Sequence, residues 1–151
     1  MNNITRSGFD ESHEKGLQAE RIVLEIIRRT YPKAFMISGN VPGSDIFVPE
    51  TKKLVEVKHD LKSLETGNYF IEFEMFTKRS GLMLTYADYW VIFDGQSVVW
   101  IKPDEIKNII IWHGLKARRF DVDGVTDSAR AFLIPREMIQ DVGMVYKIEE
   151  I

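Results

Sequence analysis

The sequence contains no cysteine, which excludes disulfides and thiolate metal sites and suits a cytoplasmic setting. No apolar run approaches the ~20 residues that a membrane-crossing helix needs, so no membrane partner is expected. The N-terminal stretch MNNITRSGFDE has no apolar core segment and does not read as a signal peptide. A glycine-rich phosphate loop, a G-x-S-x-G elbow and an H-E-x-x-H pair are all absent, which leaves nucleotide hydrolysis, serine hydrolysis and zinc proteolysis without support. The three histidines, His13, His59 and His113, have no paired spacing and read as incidental. Positive charge is not in excess either: 20 Lys and Arg face 23 Asp and Glu, a net charge of −3. Phosphate contacts dominate nucleic-acid affinity, so a nucleic-acid partner requires basic side chains gathered on one side. Lys52, Lys53, Lys62, Lys78, Arg79, Lys116, Arg118 and Arg119 are the candidates.

What is present is an ordinary globular composition, with 44% hydrophobic and 28% charged residues among 151. That length suits one domain, residues 1–151, with residues 1–9 polar and frayed. The pattern predicts an α/β fold in which a mixed central β-sheet is flanked by helices. A helix is expected from Asp10 or Ser12 to Arg29, closed by Tyr31-Pro32. On its wheel Leu17, Val23, Leu24 and Ile27 form an apolar stripe with Glu20 near the middle. An unpaired carboxylate there is costly, so Glu20 either sits at the rim, pairs with a lysine, or serves a site.

The stretch GSDIFVPETKKLVEVKHD, residues 43–60, carries the strongest chemical signal. Ile46–Val48 reads as a strand, Pro49–Lys52 as a turn, and Leu54–Asp60 as a second strand. With period 2, Val55 and Val57 face the core while Leu54, Glu56, Lys58 and Asp60 share the other face. Pairing the two strands as a hairpin brings Asp45 alongside the Glu56 end. Two carboxylates suit a hard divalent ion such as Mg²⁺, which polarises a phosphoryl oxygen and lowers the pKa of bound water. A lysine beside them can orient that water or stabilise phosphate charge. An E-x-K pair alone also describes a solvated hairpin face.

Asp45, ten intervening residues, and then Glu56-Val57-Lys58 resemble the PD-(D/E)XK phosphodiesterase superfamily, which includes restriction endonucleases and Holliday-junction resolvases. The resemblance covers roughly residues 10–95. TGNYFIEFE (66–74) and SGLMLTYADYWVIF (80–93) look like its resolvase-like and phage-type nucleases. It implies a restriction-endonuclease-like sheet with the acids and lysine on a hairpin. It also implies a Val57 carbonyl completing a Mg²⁺ site (Mn²⁺ substituting) with Asp45 and Glu56, and a glutamate on the preceding helix, here Glu20. Ser44 stands directly before Asp45 where the motif has proline, and Pro42 lies two residues earlier.

Farther along, Tyr69–Phe76 alternates and is expected as a third strand beside the hairpin, with Glu72 as a solvated edge residue. Ser80–Ala87 reads as a short helix or loop. Asp88–Asp94 is apolar enough for a strand covered on both faces, followed by an Asp94–Ser97 turn and a strand at Val98–Ile101. Pro103 opens a helix over Asp104–Ile110, and LIPREMIQDV repeats the strand-proline-helix order. Residues 114–130 read as loop or ragged hairpin, and MVYKIEEI as an edge strand. Trp90, Trp100 and Trp112 read as core more readily than as base-stacking platforms.

These readings converge on a metal-dependent endonuclease that hydrolyses DNA. Asp45 and Glu56 would hold the ion, Lys58 would position the attacking water, and Glu20 would bind a second ion or a metal-bound water. A single acid set in the chain predicts a homodimer wherever both strands of a duplex or branched DNA are cut. The alternatives are a non-catalytic nucleic-acid-binding or assembly protein of the same fold, and a nuclease acting on RNA.

Overall fold

The computed structural model describes residues 3–38 and 43–148, with side chains from Glu14 onward in the first helix. Residues 1 and 2, the His13 side chain, and the expected turn at Asn40 and Pro42 lie outside the described residues. Helix α1 spans Asn3–Arg28, so the helix starts earlier than its apolar stripe suggests. Ala19, Val23, Leu24 and Ile27 are buried, while Glu14, Gln18, Arg21, Glu25 and Arg28 are exposed on the far side. After the helix, the Arg28 Nε–H donates to the Ala34 carbonyl at 2.8 Å and ties down the turn.

Six strands form the central sheet in the order β1-β2-β3-β6-β7-β10. They are β1 (Phe35–Met36), β2 (Ile46–Val48), β3 (Lys53–His59), β6 (Tyr89–Phe93), β7 (Ser97–Ile101) and β10 (Met144–Lys147). β2 and β3 make the expected antiparallel hairpin, with Ile46 opposite Val55 and Val48 opposite Lys53. Lys52 takes a left-handed conformation (φ 57°) to close the turn. β3 then pairs in parallel with β6, Glu56 beside Trp90 and Lys58 beside Ile92. The sheet is therefore mixed, and β6 sits in its middle with Trp90, Val91 and Ile92 all buried, as its continuous apolar run requires.

β4 (Asn68–Met75) is not beside the hairpin, contrary to expectation. It belongs to a second, four-stranded antiparallel sheet in the order β5-β4-β9-β8. The other members are β5 (Lys78–Arg79), β8 (Arg118–Val122) and β9 (Val125–Pro135). The reason is local. After His59 the chain makes a short helical turn, α2 (Ser63–Thr66), capped by Gly67 at φ 75°. That turn carries β4 off the plane of the first sheet and leaves the place beside β3 to the more apolar β6. Of the loop or ragged hairpin expected over 114–130, the structure has the hairpin, β8–β9, with a register shift between Phe120 and Val122 and a tight turn at Asp123-Gly124, both at positive φ.

Two cores result. α1 covers one face of the central sheet, where Val23, Leu24 and Ile27 pack on Val55, Val57, Val91 and Val98. On the other face Trp90, Ile92, Val99 and Ile101 meet Tyr69, Ile71 and Ile134 of the second sheet. Ile106 and Ile109 of α3 (Pro103–His113) and Ile139 of α4 (Arg136–Val142) complete that core. Each fully buried aliphatic side chain contributes about 1.5–3 kcal/mol. An ionic contact joins the layers: Arg136 reaches Asp94 at 2.7 Å and the Ser63 hydroxyl at 2.7 Å, and lies over the Tyr69 ring. Burial opposes ionisation of Asp94, but the Gln96 and Ser97 N–H groups and Arg136 together hold its pKa below the ordinary value. Of the tryptophans, Trp90 is buried and Trp100 half-buried, whereas Trp112, read as core, is 86% exposed at the end of α3.

Candidate active site

The hairpin register decides which side chains meet. Ile46 faces Val55 at the last paired position of the hairpin, and the Asp45 N–H donates to the Val55 carbonyl at 2.8 Å, so Asp45 sits just beyond the ladder, within electrostatic reach of Glu56 and Lys58. Past the end of β2 the ladder has no further backbone acceptor for β3. The Asp45 carboxylate takes that place: its Oδ2 accepts the Val57 N–H at 2.7 Å. The carboxylate thereby lies at the sheet edge, between the layer of α1 and the layer beyond. A residue in a strand turns its N–H and C=O to the same neighbour, so the Val57 carbonyl faces this edge too.

From the α1 side, Glu20 is hydrogen-bonded to Asp45. Two carboxyls in contact share a proton. Burial first, then the Asp45 charge and hydrogen bond, push the Glu20 pKa up to about 7. Asp45 is also raised, chiefly by burial and by the Glu56 charge, against the opposing pull of the Val57 N–H and Lys58. Glu20 is half-buried, and its neighbour across the layers is the Asp45 carboxyl.

Glu56 is buried and held at both oxygens. Its Oε1 lies 2.5 Å from the Lys58 ammonium, and its Oε2 accepts the Thr85 hydroxyl at 2.7 Å. Thr85 Oγ1 in turn accepts the Trp90 indole N–H and the Ala87 N–H, both at 3.1 Å. With those lone pairs engaged, the hydroxyl proton is left for Glu56 at 2.7 Å or the Gly43 carbonyl at 3.0 Å, and the shorter, charged acceptor is favoured. Lys58 stands 5.0 Å over the Trp90 ring, a cation–π contact, with its side chain 39% exposed. Gly43 closes the loop against Thr85: a Cβ there would come within 2.6 Å of the Thr85 backbone, and its φ of 65° disfavours other residues.

Glu20, Asp45, Glu56 and Lys58 are thus linked through direct contacts and shared charge. Thr85 and Trp90 were not picked out as site residues. Thr85 is 29 positions from Glu56 in the chain, and nothing in its local sequence marks it. Glu72, read as a solvated edge residue, is half-buried and accepts the Ser80 hydroxyl at 2.6 Å. His59 and Lys62 lie with Lys58 in a cleft beside the site. The other basic residues divide: Lys53 lines a separate depression with Lys102 and Lys107.

No described group of three or more Asp, Glu or His side chains is arranged as a ready cation site. Asp45 is turned to Val57 and Glu20, and Glu56 to Thr85 and Lys58. The donor chemistry nevertheless fits a hard divalent ion. Three carboxyls crowd one edge beside Lys58, and their mutual repulsion is what a divalent charge relieves. Ser44 Oγ, next to Asp45, is buried with no hydrogen-bond partner among the described residues. No helix among those residues is long and apolar enough to cross a membrane. No protein-family model, curated protein or solved structure matches the chain.

Proposed function

We propose that the chain is a metal-dependent phosphodiesterase of restriction-endonuclease-like type that cuts DNA internally. The observation that carries this reading is the placement of Asp45 at the end of the hairpin, held by the Val57 N–H beside Glu20 and within electrostatic reach of Glu56, to which Lys58 is paired. Asp45, Glu56 and the Val57 carbonyl would hold Mg²⁺ or Mn²⁺, with Glu20 on a second ion or a bound water. When bound, the ion supplies Lewis-acid activation of a phosphoryl oxygen and of water. Lys58 leaves Glu56 to orient the attacking water, and its half-exposed position suits that move. Thr85 keeps Glu56 pointed at the edge. The setting is the cytoplasm, and paired cuts in duplex or branched DNA require a homodimer.

The test is incubation with supercoiled, linear, branched and single-stranded DNA, and with RNA, with and without Mg²⁺ or Mn²⁺. Cleavage that needs the metal and disappears in Asp45→Asn is expected. Binding without cleavage of any substrate would point instead to a non-catalytic nucleic-acid-binding or assembly protein, and cleavage of RNA alone to a ribonuclease.

A further inference from the structure

Between the end of β3 and the outer face of the second sheet lies a cleft of about 760 Å³, a size typical of sites that enclose a small ligand. Its floor is aromatic. Phe70 and Phe120 meet edge to face with ring centroids 4.9 Å apart, and Leu133 lies beside them. Phe70 is 41% exposed, although β4 is an inner strand of its sheet. Lys58 and Lys62 stand on the wall, so the lysine of the acid cluster also belongs to the cleft. Two acids line it as well, but both are turned to partners. Asp60 accepts the Phe70 N–H at 2.8 Å, and Glu72 accepts the Ser80 hydroxyl at 2.6 Å.

An apolar aromatic floor under a cationic wall fits a ligand with one flat ring and a negative charge close to it, which is an unpaired nucleotide. In a duplex both faces of each base are covered by neighbours, so only a single strand can offer a ring to Phe70. Charge argues the same way. Duplex binding draws on phosphate neutralisation, which a chain of net charge −3 supplies poorly, whereas stacking on aromatic side chains draws on the base itself. We propose that this cleft takes an unpaired base of single-stranded DNA next to the phosphate presented to Lys58. The proposal rests on the phosphodiesterase reading for the role of Lys58, and it makes single-stranded regions the preferred substrate.

The test is fluorescence anisotropy in EDTA, where no cleavage occurs. The probes are a labelled single-stranded oligonucleotide, the same strand with abasic sites, and its duplex. Phe70→Ala should weaken single-strand binding by about 5-fold to 150-fold, while Phe70→Tyr keeps it. Abasic substitution should cost the parent a similar factor and cost Phe70→Ala little more, since both remove one contact. Circular dichroism checks that the variants at this exposed position remain folded. Unchanged affinity in Phe70→Ala, tight binding of the abasic strand, or tighter binding of the duplex would overturn the proposal. Cleavage in Mg²⁺ is read separately with Asp45→Asn. Metal-dependent cleavage without any effect of Phe70 removes the cleft and keeps the nuclease. Phe70-dependent binding without cleavage of any substrate removes the nuclease and keeps the base site.

Discussion

Replacing Glu20 by glutamine should make the protein more stable at alkaline pH in EDTA and lower the proposed metal-dependent cleavage. In the folded chain Glu20 titrates at about 7 against an ordinary 4.5, so the folded state holds this proton more tightly than the unfolded state does. Stability from that proton is fully present below about pH 4.5, falls as pH rises toward 7, and is lost above it. The interval of about 2.5 pH units corresponds to about 3.4 kcal/mol at 1.36 kcal/mol each. Glu20 is only part-buried, and solvent screening reduces the figure to about 1–2 kcal/mol. Glutamine is uncharged at every pH, and its amide N–H can donate to Asp45. Glu20→Gln should therefore gain about 1–2 kcal/mol at pH 8 in EDTA and nothing at pH 4.5. Urea-denaturation midpoints at the two pH values measure this, and Mg²⁺-dependent cleavage measures the loss of activity. A variant that keeps the parent's pH dependence, or gains equally at both pH values, would refute the shared-proton argument.

Thr85→Val removes the donor to Glu56 and the acceptor for Trp90 without changing shape, so it should cost about 1–3 kcal/mol in urea denaturation and lower cleavage. Lys58→Ala should abolish cleavage and cost about 1–3 kcal/mol, because it leaves the buried Glu56 carboxylate without its cation while Thr85 still donates to it. Undiminished turnover would remove Lys58 from the mechanism. Arg136→Ala strands the buried Asp94 carboxylate and should cost about 3–5 kcal/mol at neutral pH. The Asp94 pKa is lowered in the fold, so the ion pair's contribution is present above the ordinary carboxylate range and fades as pH falls. The gap between parent and Arg136→Ala in thermal melts should therefore narrow in acid.

The parts of this molecule governed by local pattern were legible before any coordinates. Period 2 in Leu54–Asp60 separates Val55 and Val57 from Glu56 and Lys58, and the polar turn at Pro49–Lys52 sets a hairpin at whose end Asp45 lies within electrostatic reach of Glu56. The stripe of α1 likewise marks which side of the helix is buried. What sequence could not supply was partner choice between strands. β4 alternates as well as any strand here, but alternation does not say which sheet it joins. The outcome depends on α2 turning the chain and on β6 burying Trp90, Val91 and Ile92 beside β3. Thr85 was hidden for the same reason, since its contacts with Glu56 and Gly43 join segments far apart in the chain. Trp112 shows the opposite error: an aromatic residue after an apolar run is no guide to burial when the helix ends in solvent.

The pairing of β4 with β9 sets Tyr69 opposite Ile134 and Met75 opposite Ala129. Seen from the ribosome, β4 is made long before its partner. While residues 76–128 are still being added, the hydrogen-bonding edge of β4 that β9 will cover is open, and Tyr69 and Ile71 have no Ile134 to meet. Contacts of such long range form late and leave strand edges exposed to other chains. A nascent chain stopped after β8 would thus already hold all four residues of the acid cluster and both rings of the cleft floor. The same chain would lack the strand between β4 and β8 that brings Phe70 and Phe120 together. Synthesis of β9 is therefore the step at which the cleft acquires its shape.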